Sequence, residues 1–495
     1  MAVNSRELSM DLDSAGTGAL FLASKPSAFL DYFRVPYEVD PGLSDGGLEQ
    51  LRACSDGPSL FWIAHSGGDA TALKIEGSAS QPEVPIFADV AGDQLVSSLL
   101  SEHGRGWRPA RLLADEDGTA AAAIYRCDDG SILLPFDPDE VMVNYWSERY
   151  TQIGPKARGR RLRHLMMVIY YRLRPVLPRR LQIWLRRRFA RRQARCTFPR
   201  WPVEPGLHDF FDLMFEMLDE VAREPVPHIA PWPNGYEWTL VLTHDVEKDK
   251  GLEALDPVID VERRLGLRSS WNLVADDYYV APERVRALLD DGFEVGVHGM
   301  HHDGRDLESF ALLQERLPGI GEARDRWGAV GFRAPSLHRN WEWMRLLGFD
   351  YDSSWPDTDP FEPQNGGCCT WLPFFNGELV ELPMTLTLDH TVFVILNQSD
   401  ETAWVNKTEF LRARGGLALI DTHPDYLVDA TILSAYGKFL DRYASDETAW
   451  KALPREVSSW WRRRAASSLE RDGSGWRVVG PAAGEARVQL YGGPR

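Results

Sequence analysis

The stretch WTLVLTHDVE, residues 238–247, decides the fold. It opens as an apolar, β-branched run, as a strand buried on both faces must, and it ends in Asp245, Val246 and Glu247. Residues two apart in extended chain point to the same side, so Asp245 and Glu247 can enter one site. The same grammar recurs downstream. FEVGVH (293–298), VGFRAP (330–335), YDSSW (351–355), LVELPMT (379–385) and LALIDTH (417–423) read as further strands. APERVRALLDDG (281–292, closed by Gly292), LESFALLQERL (307–317), WEWMRLLG (341–348) and ETAWVNKTEFLRARGG (401–416) read as helices between some of them. Such alternation predicts an α/β fold with parallel strands and outer helices, as a barrel or an open sheet. In either, ligands gather at the C-terminal ends of the strands.

The polar clusters sit at such ends. VGVHGMHHDG (295–304) places His298 and His302 four apart, with His301 and Asp303 beside them. Two imidazoles and one carboxylate suffice to hold a catalytic metal that keeps an open position. GFRAPS (331–336) sets Arg333 at a strand end before a proline, and LIDTHPDY (419–426) sets His423 after an apolar strand. Taken singly, Asp245 reads as a turn or cap residue, Arg333 as an ion-pair partner and His423 as a satisfied histidine. Together, four strand ends carry the residue types that metal-assisted hydrolysis needs.

The order LTHDVE, HGMHHDG, FRAPS, YDSSW, LIDTHPDY resembles the polysaccharide deacetylase family, carbohydrate esterase family 4, over roughly residues 238–443. The resemblance implies a distorted (β/α)7 barrel, one divalent metal (usually Zn2+) and removal of acetyl groups from sugars. It implies Asp245 as general base, Arg333 as the arginine that orients it, and His423 as the acid that protonates the leaving amine. His298 and His302 match the two histidine ligands. The backbone N–H of Ser336 stands where the family donates to the developing oxyanion. Leu419 stands where an apolar residue receives the acetyl methyl, Asp352 and Trp355 fall in the motif that supports this end of the site, and His301 is a further candidate for substrate contact.

Two departures matter. The commonest motif has adjacent aspartates, base then ligand; here Val246 holds the second place, and Glu247 takes the ligand role at the variant Asp-x-Asp spacing. Ser336 replaces the usual aromatic of the third motif. Relatives without a complete ligand set include metal-independent amidohydrolases of small cyclic ureides or imides. That reading stays open, as does a non-catalytic glycan-binding scaffold.

Outward from this core, 495 residues imply two or three domains. Residues 1–150 read as a β-rich unit from SLFWIAHSG (59–67), EVPIFADV (83–90) and AAAAIYRC (120–127), with Pro135 and Pro138 marking an exit from regular structure. Residues 151–225 read as a basic helical connector, 226–450 as the deacetylase-like barrel, and 451–495 as a C-terminal helix (PREVSSWWRRRAASSLE, 454–470) with short strands. Between Arg149 and Val203 there is no Asp or Glu, yet 17 of the 55 basic residues lie there. The other 38 face all 73 acids, so the remainder carries −35, which excludes nucleic acid as a partner of the body. The basic helix at 179–195 reads first as a connector whose arginines meet acids of this protein, with an anionic membrane surface as the second reading. GLHDFFDLMFEMLDEVA (206–222) is an amphipathic helix for core packing, and Trp460 and Trp461 read as core aromatics. The five cysteines fit neither a disulfide framework nor a metal knuckle. With no apolar leader or spanning segment, a cytoplasmic protein, peripheral at the membrane face through 179–195, is the expectation. Its substrate would be an acetylated sugar or glycan precursor; the oligomeric state is not legible.

Overall fold

The computed structural model describes residues 20–22, 26–39, 48–53, 57–64, 68–77, 82–102, 106–153, 187–188, 198–473 and 475–491. The basic helix expected at 179–195 falls outside them, apart from Arg187 and Arg188, as do Cys54 and Cys196. Cys127, Cys368 and Cys369 are buried. Among the described residues no helix is long and apolar enough to cross a membrane.

The N-terminal part holds one nine-stranded sheet: β1 (Leu20–Leu22), β2 (Tyr37–Val39), β3 (Leu48–Arg52), β4 (Ser59–Ile63), β5 (Thr71–Ile75), β6 (Val84–Ala88), β7 (Arg108–Ala114), β8 (Ala120–Arg126) and β9 (Ile132–Leu134). Its order is β2-β1-β3-β4-β9-β8-β7-β5-β6, mostly antiparallel. Pro138 does not end structure, as the sequence suggested; it opens a helix, Pro138–Trp146, with Asp137 as N-cap. A proline at the first helical position gives up a donor that has no partner there anyway. The amphipathic helix Gly206–Ala222 lies against β4 and β6 and buries Leu207, Phe210, Phe211, Met214, Phe215 and Leu218, the face read from its spacing.

After β10 (Val226–Ile229) comes the sheet that carries the polar clusters. Its strands are β11 (Trp238–Val246), β12 (Ser270–Leu273), β13 (Glu294–Val297), β14 (Gly331–Phe332), β15 (Tyr351–Asp352), β16 (Phe374–Asn376), β17 (Leu379–Glu381), β18 (Leu417–Thr422) and β19 (Ala449–Ala452). The order is β16-β17-β15-β14-β13-β12-β11-β18, with β19 also on β11, and every pair is parallel except β16 with β17. Helices Leu255–Arg264, Pro282–Asp290, Phe310–Trp327, Thr402–Arg412 and Ala430–Ala444 follow individual strands. The α/β class read from the alternation therefore holds. The segment after β17 curls back to β18: Leu386 N–H donates to Leu419 O at 3.0 Å, and Thr385 Oγ1 to Leu417 O at 2.8 Å.

In the tail, the helix stops at Ala465 and Ser468–Asp472 forms β20, a hairpin with β21 (Gly475–Val479). The sequence reading had run the helix on to Glu470. β22 (Val488–Tyr491) pairs with β10. Trp460 and Trp461 are buried, as expected. The hydrophobic cluster that contains them is continuous from Leu30 and Trp62 of the N-terminal part to Trp355, Phe374 and Leu419 of the second sheet.

Candidate active site

Each chemically capable side chain stands at or just beyond a strand's C-terminal end: Asp245 and Glu247 on β11, His298 after β13, Arg333 after β14, His423 after β18. Along the end of β11, Val246 is buried in apolar core while Asp245 and Glu247 face the histidines, as the two-residue period requires.

Asp245 is buried and held by its neighbours. Its Oδ1 accepts from Asn272 Nδ2 at 2.8 Å and from Arg333 Nη1 at 3.2 Å. Gly296 makes room for this clamp, since a Cβ there would stand 2.3 Å from Asn272 Oδ1. Arg333 is fully buried and also donates to Thr243 Oγ1 at 2.8 Å and to Ser353 through Nε at 3.1 Å, and it pairs with Asp421 Oδ1 at 2.7 Å. Burial works against a charge on Asp245, but His298, Arg333 and His423, with the Asn272 amide, outweigh it and hold the carboxyl well below its usual range. Burial pushes Asp421 the other way, well above that range, with Arg333 opposing.

His298 Nδ1 lies 3.0 Å from Arg333 O, a hydrogen bond that leaves Nε2 as the lone-pair nitrogen. Burial pulls this imidazole down to about 4, so it is neutral at pH 7. The His298 and His302 rings lie 5.3 Å apart. Glu247 Oε1 is 3.1 Å from His302 Nε2 and 3.6 Å from His423 Nε2. Against its burial, the His302 hydrogen bond and the nearby histidines hold Glu247 well below the usual carboxylate range. A neutral imidazole and an ionised carboxylate are the protonation states a divalent cation asks of its ligands, so Glu247, His298 and His302 fit such an ion chemically. Among the described residues, the group whose ligand atoms all lie within 4.8 Å of one another is Asp245, Asp421 and His423, and not Glu247, His298 and His302. Arg333 already stands against both of its carboxylates, so this group holds a cation of its own.

His423 is oriented by Asp389, which the sequence reading did not single out. Asp389 Oδ1 takes Nδ1 of the ring at 2.7 Å and Oδ2 takes the His423 N–H at 2.7 Å, which turns Nε2 toward Glu247. Burial alone would lower the imidazole, but Asp389, then Asp421 and Glu247, carry it well above its usual value. Asp389 precedes one turn of π-helix, His390–Ile395, in a stretch with no strand or helix period to read. Asn272 lies in the short, polar β12, which was also missed.

The remaining candidates sit at different depths. Ser336 is half-buried in a left-handed turn (φ +56°) after β14. His301 is half-exposed, with Nδ1 2.8 Å from Asp277 Oδ1, and Asp277 Oδ2 accepts the His302 N–H at 2.7 Å. Leu419 and Trp355 are fully buried core residues, and Trp355 packs edge-on against Trp341. Asp352 is buried beside Ser354, whose Oγ donates to it at 2.6 Å.

No family model and no curated protein sequence matches the chain. Among solved structures, it is similar to a Mycobacterium smegmatis protein assigned to the polysaccharide deacetylases, with 20% identity and a TM-score of 0.39 over 49% of this chain and 98% of that one. It is similar to the allantoinase Puue, with 16% identity and a TM-score of 0.38 over 47% and 92%. It is also similar to a family 4 carbohydrate esterase from Streptomyces lividans in complex with acetate, with 18% identity and a TM-score of 0.29 over 44% and 91%. Each of these matches spans a little under half of this chain.

Proposed function

We infer that the chain is a metal-dependent hydrolase that removes an acetyl group from an N-acetylated sugar or glycan precursor, with a (β/α)7-type catalytic barrel at about 226–450. One observation carries the reading: an ionised carboxylate clamped by Arg333 and Asn272 opposes a histidine fixed by its own carboxylate, with a Glu-His-His group between them. Glu247, His298 and His302 would hold the cation, which when bound supplies charge stabilisation for a carbonyl oxygen and a nucleophile available at neutral pH.

The chain's own groups do the rest. Asp245 takes a proton from the attacking water through Oδ2, because Oδ1 is occupied by Arg333 and Asn272. The Ser336 N–H, presented by its left-handed turn, donates to the carbonyl oxygen as charge develops there. His423, kept protonated by Asp389, gives its Nε2 proton to the leaving nitrogen as the C–N bond breaks, so acetate and a free amine result. His301 contacts the sugar, while Leu419 and Trp355 shape the site from beneath.

Elemental analysis of the purified chain beside His302→Ala tests the metal. Near-stoichiometric zinc or another divalent ion that the variant lacks is expected. Asp245→Asn should keep the metal and lose acetate release from N-acetylated sugars. No metal in either protein, with added zinc also failing to bind, would overturn the metal-dependent reading and leave the metal-independent amidohydrolase of a small cyclic ureide or imide and the non-catalytic glycan-binding scaffold.

A further inference from the structure

Along the segment that follows β14, every backbone N–H but one has an acceptor among the described residues. Arg333 N donates to Val297 O at 3.0 Å, Ala334 N to Ser354 Oγ at 2.8 Å, Leu337 N to Ala334 O at 3.0 Å and Arg339 N to Gln364 Oε1 at 3.0 Å. His338 N reaches Pro335 O at 3.4 Å, and Pro335 carries no N–H. Ser336 N alone meets no acceptor among the described residues, and it is the donor that the deacetylase reading gives to the developing oxyanion.

An uncommon backbone aims that N–H. Ser336 (φ +56°) and Leu337 (φ +51°) are consecutive left-handed residues with no glycine between them. In that conformation the Cβ crowds the following carbonyl, so it persists only where neighbours hold it. The Leu337 side chain is buried in the cluster shared by the two sheets, and its carbonyl accepts from Arg339 Nη1 at 2.9 Å. The same guanidinium donates to Gln364 O at 3.2 Å and lies 5.4 Å over the Trp355 ring. Its other edge meets the Glu148 carboxylate, Nε to Oε2 at 3.0 Å and Nη2 to Oε1, and the two side chains are 0% and 7% exposed.

Glu148 stands 191 residues before Arg339, in the N-terminal part, between the helix Pro138–Trp146 and the short helical turn Arg149–Gln152. Its own backbone is pinned: Glu148 N donates to Tyr145 O at 3.1 Å, and Glu148 O accepts from Thr151 N at 3.0 Å. Gly366 leaves room for the carboxylate, since a Cβ there would stand 2.7 Å from Glu148 Oε1. A guanidinium at this depth needs a counter-charge. With the carboxylate gone, Arg339 turns toward water or another acid, and Leu337 O loses the donor that holds the turn.

We propose that Glu148, acting through Arg339, is a positioning residue for the reaction: the N-terminal part holds the left-handed turn that aims the Ser336 N–H, so the candidate site draws on both parts of the molecule. The role of Ser336 rests on the deacetylase reading; the clamp is tested apart from turnover. The probe is 4-nitrophenyl acetate, whose hydrolysis gives acetate and 4-nitrophenolate. That leaving group needs no proton, so the rate depends on the oxyanion donor and not on His423. Wild type is compared with Glu148→Gln, which keeps the volume and one acceptor, and with the double variant Glu148→Gln/Ser336→Gly. Asp245→Asn gives the background, and Asp389→Asn should leave this ester's rate nearly unchanged. Glu148→Gln should lower kcat roughly 10- to 100-fold with KM unchanged. Ser336→Gly keeps the N–H and favours a positive φ, so the double variant should recover most of that loss. Glu148→Asp, which keeps the charge but draws it back, should fall between, and it takes the place of Glu148→Gln if that variant does not fold. Amide hydrogen exchange is the second readout: in Glu148→Gln the amides of 337–339 should exchange faster while those of β11 and β18 do not. A loss shared by kcat and KM, no recovery in the double variant, or faster exchange throughout the second sheet makes Glu148 a structural residue only and overturns the proposal, as does an unchanged kcat. Wild type no faster than Asp245→Asn overturns the deacetylase reading; faster exchange confined to 337–339 then still upholds the clamp, and unchanged exchange removes it.

Discussion

Asp389 touches none of the predicted ligands, yet it fixes which nitrogen of His423 faces the site. Asp389→Asn keeps the volume but can present an amide donor where the ring needs an acceptor, so the tautomer and orientation are lost. We expect kcat to fall roughly 10²- to 10⁴-fold with the metal content unchanged. Acetate release near the wild-type rate would remove His423 from the role of acid. Gly296→Ala acts on the opposite carboxylate: its Cβ displaces Asn272 from Asp245. Activity should drop while His298, one residue past β13, keeps its bond to Arg333 O and the metal stays bound. At this scale the sequence was legible wherever a polar residue closed an apolar strand, which is why Asp245, Glu247, His298, Arg333 and His423 could be named. It was silent on partners supplied from elsewhere in space. Asp389 and Asp277 lie in stretches without period, and the sharing of Arg333 between Asp245 and Asp421 depends on strand neighbours that only the sheet order supplies.

Strand ends opposite the candidate site show what holds the sheet itself. Tyr351 of β15 passes beneath β14, where its ring takes the place of a side chain at Gly331; a Cβ there would lie 1.9 Å from Tyr351 Cζ. Its hydroxyl donates to Glu294 Oε1 of β13 at 2.8 Å, and Arg455 N–H donates to Glu294 Oε2 at 3.1 Å. Burial raises the Glu294 carboxyl to about 7 despite these donors. A carboxyl whose folded pKa lies above its unfolded value binds its proton more tightly when folded. Its stability contribution is therefore complete below about pH 4.5 and is lost as pH climbs toward about 7. Glu294→Gln removes that titration. Urea unfolding at pH 5 and pH 8 should show wild type losing up to about 3 kcal/mol more than the variant over this interval. Equal losses would mean that Glu294 is ionised throughout. Element type was legible for the apolar runs, and for the short β14 and β15 read from VGFRAP and YDSSW, but the four residues of β12 are too few to carry a readable period. The tail helix was overextended because Ser467–Glu470 continues a helical composition, and what ends the helix is a hairpin with the strand that follows: Ser468 meets Val479.

The whole molecule turns on how residues 20–153 meet the second sheet. Glu148, in a left-handed conformation (φ +57°), receives Arg339 Nε at 3.0 Å, and the same guanidinium stacks over Trp355 and bonds Leu337 O in the turn that holds Ser336. Tyr150 OH donates to Gly367 O at 2.7 Å, and Trp146 stacks on Phe374 with ring centroids 5.1 Å apart. From the tail, buried Arg464 donates to Tyr32 O at 2.8 Å and to Ile229 O at 2.7 Å. The sequence shows the amphipathic helix and the Trp pair that feed this interface, but composition shifts suggested separable units and nothing local reveals a cluster shared across two sheets. Such a shared core predicts cooperative behaviour. Calorimetry of the full chain should give one unfolding transition, and Glu148→Ala should lower stability by about 3–5 kcal/mol because Arg339 is left buried without its carboxylate. Residues 226–450 expressed alone would expose Trp355, Phe374, Leu382 and Leu419 of that cluster and should aggregate rather than fold. A soluble, cooperatively folded 226–450 fragment, or two resolved transitions with Glu148→Ala affecting only one, would show that the N-terminal part rides on the second sheet without supporting the Ser336 turn.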